Sequence, residues 1–360
     1  MRKCKVTAMM KSIRKNLGNY VTYAFVIAAF VVLQIMSSGN MLSSTLKGQL
    51  VPICAYVVMA LSLNLTVGIL GELSLGHAGF MSIGAFAGAV TSAALQEMIP
   101  AAGLRLAVSM LVGALLAALA GFLIGIPVLR LNGDYLAIVT LAFGEIIKSI
   151  VCNLYIGKDV TGLHASFLNN TVSLGEGGKM VLSGPMGVPG VTKISTFTAG
   201  FVLIMISLFV IFNLVNSRSG RAIMALRDNR IAAESVGINV TKFKLMAFVV
   251  SASLAGAAGS LFALGQNAIL ASKFDFNTSI LILVFVVLGG QGRMLGSVIS
   301  AAALTVLPEM LREFADYRML VYAIVLIVVM IVTNSPKLRE FARTLRSRKA
   351  GRSAEEGGNA

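Results

Sequence analysis

The sequence predicts an all-α, polytopic integral membrane protein with about ten transmembrane helices. Three observations carry that reading. Hydrophobic residues are 57% and charged residues only 12% of the 360-residue chain, with a mean hydropathy of +0.86, more than a soluble domain with a polar surface reaches. Apolar runs near the ~20 residues that a spanning helix needs recur along the chain. Lys and Arg fall on alternate sides of those runs, with a strong excess on one side.

In order, the candidate spans cover 20–36, 49–70, 76–95, 104–129, 133–154, 196–214, 243–264, 278–290, 295–311 and 318–334. The eighth and ninth are short, which leaves room for a re-entrant or tilted pair. The last, "RMLVYAIVLIVVMIVTN", is the clearest. Its aliphatic run from Leu320 to Val332 favours insertion by about 4 kcal/mol, at roughly 0.3–0.6 per residue. An internal N-terminus puts 21 basic residues in the cytoplasm: six up to Lys15, Arg130, six from Arg218 to Lys244, Arg293, and seven from Lys337 to Arg352. The other nine fall outside. This bias accounts for the formal charge of +15 and needs no nucleic-acid partner.

The domain plan is a basic cytoplasmic stretch over 1–19, a transmembrane domain over 20–334, and a basic cytoplasmic tail over 335–360, disordered by composition. Both termini are then cytoplasmic. The basic opening followed by Val21–Met36 fits the start of a signal peptide, but the run is at the upper length limit and no A-x-A site follows, so it reads as a retained first span. The largest external piece is 155–195, with eight glycines, Pro185 and Pro189. Cys4, Cys54 and Cys152 are odd in number and widely spaced, and read as packing residues.

Enzyme signatures fail in turn. The chain has no G-x-x-x-x-G-K-[ST] loop, no H-E-x-x-H, no C-x-x-C and no G-x-S-x-G. His77 and His164 are its two histidines, too few for histidine-based metal catalysis. No cofactor or metal is expected on this chain, and any ATP and Mg must be bound by another.

The segment "SRSGRAIMALRDNRIAAESVGINVTKFK", Ser217 to Lys244, falls inside and is rich in helix formers. Asp228 or Asn229 caps a short helix over about 230–236, and Gly237 ends it. Ile231, Ser235 and Ile238 share one side, and Arg227, Asp228, Arg230 and Glu234 keep the segment polar. It is either an interfacial amphipathic helix or a docking helix for a cytoplasmic partner.

"GRAIMALRDNRIAAESVGINVTKFKLMAFVVSASLAGAAGSLFA" resembles the coupling segment and following span of the branched-chain amino-acid ABC importer permeases, in particular the LivM-type subunit. "GELSLGHAGFMSIGAF", "GDYLAIVTLAFGEIIK", "VFVVLGGQGRMLGSVISAA" and "LPEMLREFADYRMLVYAIVLIVVMI" resemble that family in the same order, over about residues 60–335. The resemblance implies inward movement of branched-chain or other hydrophobic amino acids by alternating access. It also implies four partners besides the bilayer: a second related permease, two cytoplasmic ATP-binding subunits and an external substrate-binding protein. Residues matching the coupling segment (216–242) include Arg221, Arg227, Asp228, Arg230, Ala232, Ala233, Glu234 and Gly237. The family's E-A-A-x-x-x-G reads Ile231-Ala232-Ala233-x-x-x-Gly237, so its Glu is replaced, with Glu234 three places on. The family's compact Gly-rich outer turn is split between "VTGLHAS" and "SGPMGVPG". Two other readings stand beside this one: an ABC permease for urea, short amides or sugars, and a secondary transporter coupled to protons through Glu72, Glu145 and His77.

Ionisable groups at bilayer depth usually face a cavity or a partner. Within "GELSLGH", Glu72, Ser74 and His77 sit among glycines that let the backbone leave the helix. With Asn64 just before them they either line the translocation pathway, form a polar turn, or act as a titrating switch. Glu145 and Lys148 lie at i and i+3 on the fifth span, on the face of Thr140 and Gly144; they are either a structural ion pair or a substrate contact. The small residues Ala252, Gly256, Ser260 and Ser251, Ala255, Gly259, like Gly84-x-x-x-Gly88 and Gly121-x-x-x-Gly125, read as close helix packing.

Overall fold

The computed structural model describes residues 2–39, 43–131, 133–159, 162–167, 179–310 and a few positions between 323 and 331. The last candidate span and the basic tail therefore lie outside the described residues. The chain up to Thr305 forms one compact unit. The second unit starts at Val306, and only the end of its first helix and those few positions are described.

Eleven α-helices are described: α1 (Arg2–Ser38), α2 (Ser44–Asn64), α3 (His77–Ala94), α4 (Ala102–Val128), α5 (Asp134–Cys152), α6 (Phe197–Asn216), α7 (Arg218–Asp228), α8 (Arg230–Ser235), α9 (Val240–Ala263), α10 (Phe276–Gly289) and α11 (Met294–Met310). Nine of them coincide with candidate spans, and among the described residues seven segments are long and apolar enough to cross a membrane. α10, at 14 residues, reaches that length only with the 3-10 turn before it, over Ala271–Gly289. The basic stretch expected as a separate N-terminal piece continues helically into the first span.

Burial decides which helices form the centre. The apolar window of α2 is 89% buried and that of α9 72%, against 22% for α4 and 11% for α1. α9 is the hub, packed on α2, α3 and α4. Apolar side chains gain nothing by leaving lipid, so these contacts rest on close backbones, and small residues allow them. A Cβ at Gly84 would strike the Gly256 backbone, one at Gly88 would lie 2.6 Å from Ser260 Oγ, and one at Gly121 2.6 Å from Ala252 Cβ. Ser260 Oγ donates to Gly84 O at 2.8 Å. The predicted small-residue lines of α3, α4 and α9 are thus one shared interface. α1 joins from the side, where Phe30 stacks on Phe201 at 4.0 Å.

The long loop over 155–195 is not wholly irregular. Strands β1 (Leu154–Asp159), β2 (Gly162–Phe167) and β3 (Lys179–Ser183) form an antiparallel sheet in the order β2-β1-β3. A two-residue β4 (Val188–Pro189) pairs with β5 (Ala268–Ile269), just after α9. Val191 N and Ile194 N also donate to Asn267 O at 3.0 Å and Leu264 O at 3.1 Å. These bonds tie the loop to the strand end of α9. Short polar side chains start the helices at both ends: Thr196, Ser217, Asn229, Asn239 and Asp275 cap α6 to α10, each worth about 1 kcal/mol.

Candidate functional site

α2 does not stop at Asn64 but widens into a buried π turn over Leu65–Leu70, a feature frequent at functional sites. It closes at Gly71, whose φ of +82° a side chain would oppose. Six residues, Gly71–Gly76, then run non-helically to α3. α2 runs antiparallel to α9, with Tyr56 beside Phe262 and Ser251 Oγ donating to Ser62 O at 2.6 Å. His77, the first residue of α3, meets Ser62 at 2.7 Å between Nε2 and Oγ. The chain therefore descends to Leu70 and climbs back to the level of Ser62, about 12 Å at 1.5 Å per residue. "GELSLGH" is a re-entrant break inside the bundle: Ser74 and His77 are buried, and only Gly71 is exposed.

All but one of the polar side chains at the break have a specific neighbour. Glu72 pairs with Lys244 at the start of α9; their side chains are 16% and 4% exposed, so the charges neutralise each other away from water. Asn64, wholly buried, donates through Nδ2 to Ser297 Oγ at 2.8 Å and accepts from Gly292 N at 2.8 Å. These two bonds pin α2 to the start of α11, where a Cβ on Gly68 would strike Asn64 and Gly292. Leu75 N donates to Thr140 Oγ1 at 3.1 Å, and Ala78 N to Ser279 Oγ at 3.2 Å. Ser74 Oγ alone in this group has no partner.

The first turns of α3 and α10 thus meet part-way through the bundle. Beside them a cleft is lined by Leu75, Gly79, Gly144, Glu145, Asp275 and Ser279. Glu145 and Lys148 form the expected pair, at 3.1 Å, with side chains 46% and 27% exposed. Of the pathway candidates, the fold brings Asn64, Glu72, Ser74, His77 and Thr140 to the break, with Glu145 on its flank.

The segment between α6 and α9 lies against the lower end of the break. Arg227 of α7 donates through Nη1 to Gly68 O at 2.8 Å, and its stem fills the space left by Gly71. Of the two candidate caps, Asn229 starts α8, accepting from Ala232 N at 3.0 Å, and Gly237 ends it at φ +83°. Arg230 pairs with Glu234 at 3.1 Å; Arg221 and Asp228 are exposed. Ile231 and Ser235 are both exposed and Ile238 is partly so, an outward side. Ile231 is 76% exposed, whereas Ala233 is buried against Leu226 of α7 and Val240 of α9. Ile231, Ala232 and Glu234 are left facing outward.

The family described as branched-chain amino acid transport system, permease component, matches residues 45–332. The chain belongs to this family. Within it, the chain is 38% identical over 289 residues to the high-affinity branched-chain amino acid transport system permease protein LivM of Salmonella typhimurium, covering 77% of this chain. It is 38% identical over 291 residues to the LivM protein of Escherichia coli. The chain spans 66% of the length of both relatives. The ribose import permease protein RbsC of Escherichia coli is 28% identical over 158 residues, 42% of this chain. No solved structure matches. The matched region of this permease-family chain includes both halves of the site, the break and the α7–α8 segment.

Sequence reasoning missed Ser62, Lys244, Asp275, Ser279 and Ser297. Lys244 counts toward the basic cluster, but nothing local links it to Glu72, 172 positions away. Asp275 carried a legible signal: an acidic residue three before Thr278 at the start of an apolar run is an N-cap pattern.

Proposed function

We propose that this chain is a membrane subunit of an ATP-binding-cassette importer that moves branched-chain or other hydrophobic amino acids inward. The observation that carries the mechanism is the contact of Arg227 with Gly68 and Gly71. The α7–α8 segment is the cytoplasmic handle, and ATP-binding subunits grip it by the outward side chains of Arg221, Asp228, Arg230, Ile231, Ala232 and Glu234. Ala233 and Gly237 hold its shape from behind. Movement of α7 pulls on the π turn through Arg227, and movement of α9 pulls on Glu72 through Lys244. A π turn and a glycine-closed break are joints that can adopt two arrangements, and nucleotide state biases them. Because Asn64 ties the π turn to α11, the same pull reaches the other side of the site.

This reading puts α7, α8 and both termini in the cytoplasm and the strands outside the inner membrane. ATP and Mg belong to two partner ATPases, a related second permease completes the pathway, and an external binding protein delivers cargo. The branched-chain cargo rests on the relatives' names. Similarity to ribose import permeases makes sugars the second candidate. The deciding experiment is uptake in proteoliposomes holding this chain with a second permease, ATPase subunits and a binding protein of the same kind of system from the same cell. ATP-dependent accumulation of leucine, isoleucine or valine, absent when this chain is omitted, is the expected result. Accumulation of ribose or urea instead would replace the cargo, and leucine uptake by this chain alone, driven by a proton gradient, would overturn the mechanism.

A further inference from the structure

A positive charge is buried at the strand end of the bundle with no balancing group among the described residues. Arg105, in the first turn of α4, is 7% exposed. Its Nε is without a hydrogen-bond partner, and no ion pair or side-chain hydrogen bond reaches its guanidinium from the described residues. An uncompensated buried charge is among the costliest features a fold can carry. One turn further, Ser109 is wholly buried and its Oγ is also unpartnered.

The facing helix repeats the pattern. α3 and α4 run antiparallel, with a Cβ on Gly113 meeting Gly84 and one on Gly121 meeting Phe80. That register sets Arg105 level with the turn from Ser92 to Gln96. Ser92 is 2% exposed, its Oγ has no partner, and it lines a cavity of about 170 Å³. The other walls are mainly apolar, including Ala89, Val181, Val188 and Leu264. Leu264 also packs on Leu106, the residue after Arg105. The chamber with Ser92 in its wall and the α4 turn that carries the unpartnered Arg105 Nε and Ser109 Oγ thus lie at one level of the bundle, joined through Leu106 and Leu264.

We propose that this region is an outer-face subsite for an apolar amino acid, with its carboxylate held by Arg105 and its side chain in the chamber beside Ser92. The proposal rests on the import reading above, which makes this the side from which cargo arrives. Arginine's planar fork matches a carboxylate, and the N-terminal turn of α4, which holds no acid, adds potential of the same sign. A simple inorganic anion would leave the chamber empty. The enclosure of Arg105 favours a small ligand over the side chain of a docked protein.

The test uses the full transporter in vesicles, with Cys4, Cys54 and Cys152 replaced by serine and Ala93→Cys placed in the chamber wall as a reporter. Its reaction with an impermeant thiol reagent from outside is timed with leucine, or with isoamylamine, which has the same apolar body without the carboxylate. Leucine is expected to protect and isoamylamine not. Arg105→Gln should raise the leucine concentration needed by about tenfold, the equivalent of ~1.4 kcal/mol. If Arg105→Gln does not assemble, Arg105→Lys, which keeps the charge and loses the fork, should raise it by about threefold. Equal protection by isoamylamine, no protection by leucine, or no shift in the assembled Arg105 variant overturns the subsite. Leucine uptake in the same vesicles without protection sinks this inference alone, whereas absence of leucine uptake sinks the import reading.

Discussion

Gly71→Ala is the perturbation that most directly probes the joint. Gly71 holds φ +82°, and an added Cβ would lie 2.5 Å from Arg227 Cγ and 3.3 Å from its Cδ. The left-handed backbone alone costs a residue with a Cβ about 1–2 kcal/mol. Carbon atoms sit comfortably at ~3.5–4.0 Å, so Arg227 must also withdraw and give up its bond to Gly68 O. With the arginine side chain 42% exposed, that bond is worth about 1 kcal/mol net. The total, about 2–3 kcal/mol, falls on the arrangement seen here and shifts a two-state joint by roughly 30- to 150-fold. Reconstituted transporter should keep the subunit in the membrane and bound to its ATPases, while transport per ATP hydrolysed falls about tenfold or more. Arg227→Ala removes the clash but not the backbone strain, so the double variant should lose less than the two single losses combined. Normal transport by Gly71→Ala, or strictly additive losses, would refute a joint worked through Arg227.

Other expectations follow from the same contacts. Ala233→Asp buries a charge between α7 and α9, and Gly237→Pro cannot hold φ +83°; both should abolish uptake and ATPase co-purification while membrane levels stay normal. Glu72→Gln leaves Lys244 charged and buried, and should lower thermal stability in detergent by about 3–5 kcal/mol, with Glu72→Gln/Lys244→Met recovering most of it. Asn64→Leu removes two buried hydrogen bonds and strands their partners, at about 2–4 kcal/mol, again read by melting. Gly84→Val drives side-chain atoms into the Gly256 backbone and should prevent accumulation of the folded protein altogether, as immunoblotting of membranes would report.

What could be read beforehand was whatever has a local cause. Apolar length located α2 to α6 and α9 to α11, and four-residue spacing of small residues located the α3–α4–α9 interface, because both patterns are written within one helix. Gly71, Gly76 and Gly79 marked the break, yet its re-entry could not be foreseen, since the level of His77 is set by Ser62 and Ser251 on other helices. For the same reason Lys244 stayed hidden as the partner of Glu72. That Ala233 is the residue α8 buries was not legible, because its neighbours Leu226 and Val240 belong to α7 and α9. The strands of the 155–195 loop escaped because their partners lie in separate, Gly-rich pieces of chain whose pairing depends on long-range closure.

α9 deserves its central place for a reason beyond packing. At one extremity Lys244 grasps the carboxylate of Glu72, half-way along Ser251 reaches α2, and just past the far extremity the carbonyl of Leu264 accepts from the backbone of Ile194. A stiff rod fastened at three heights cannot slide without disturbing all of them. Whatever lands on the strands at one surface and whatever tugs on α8 at the other are therefore handling opposite tips of a single lever.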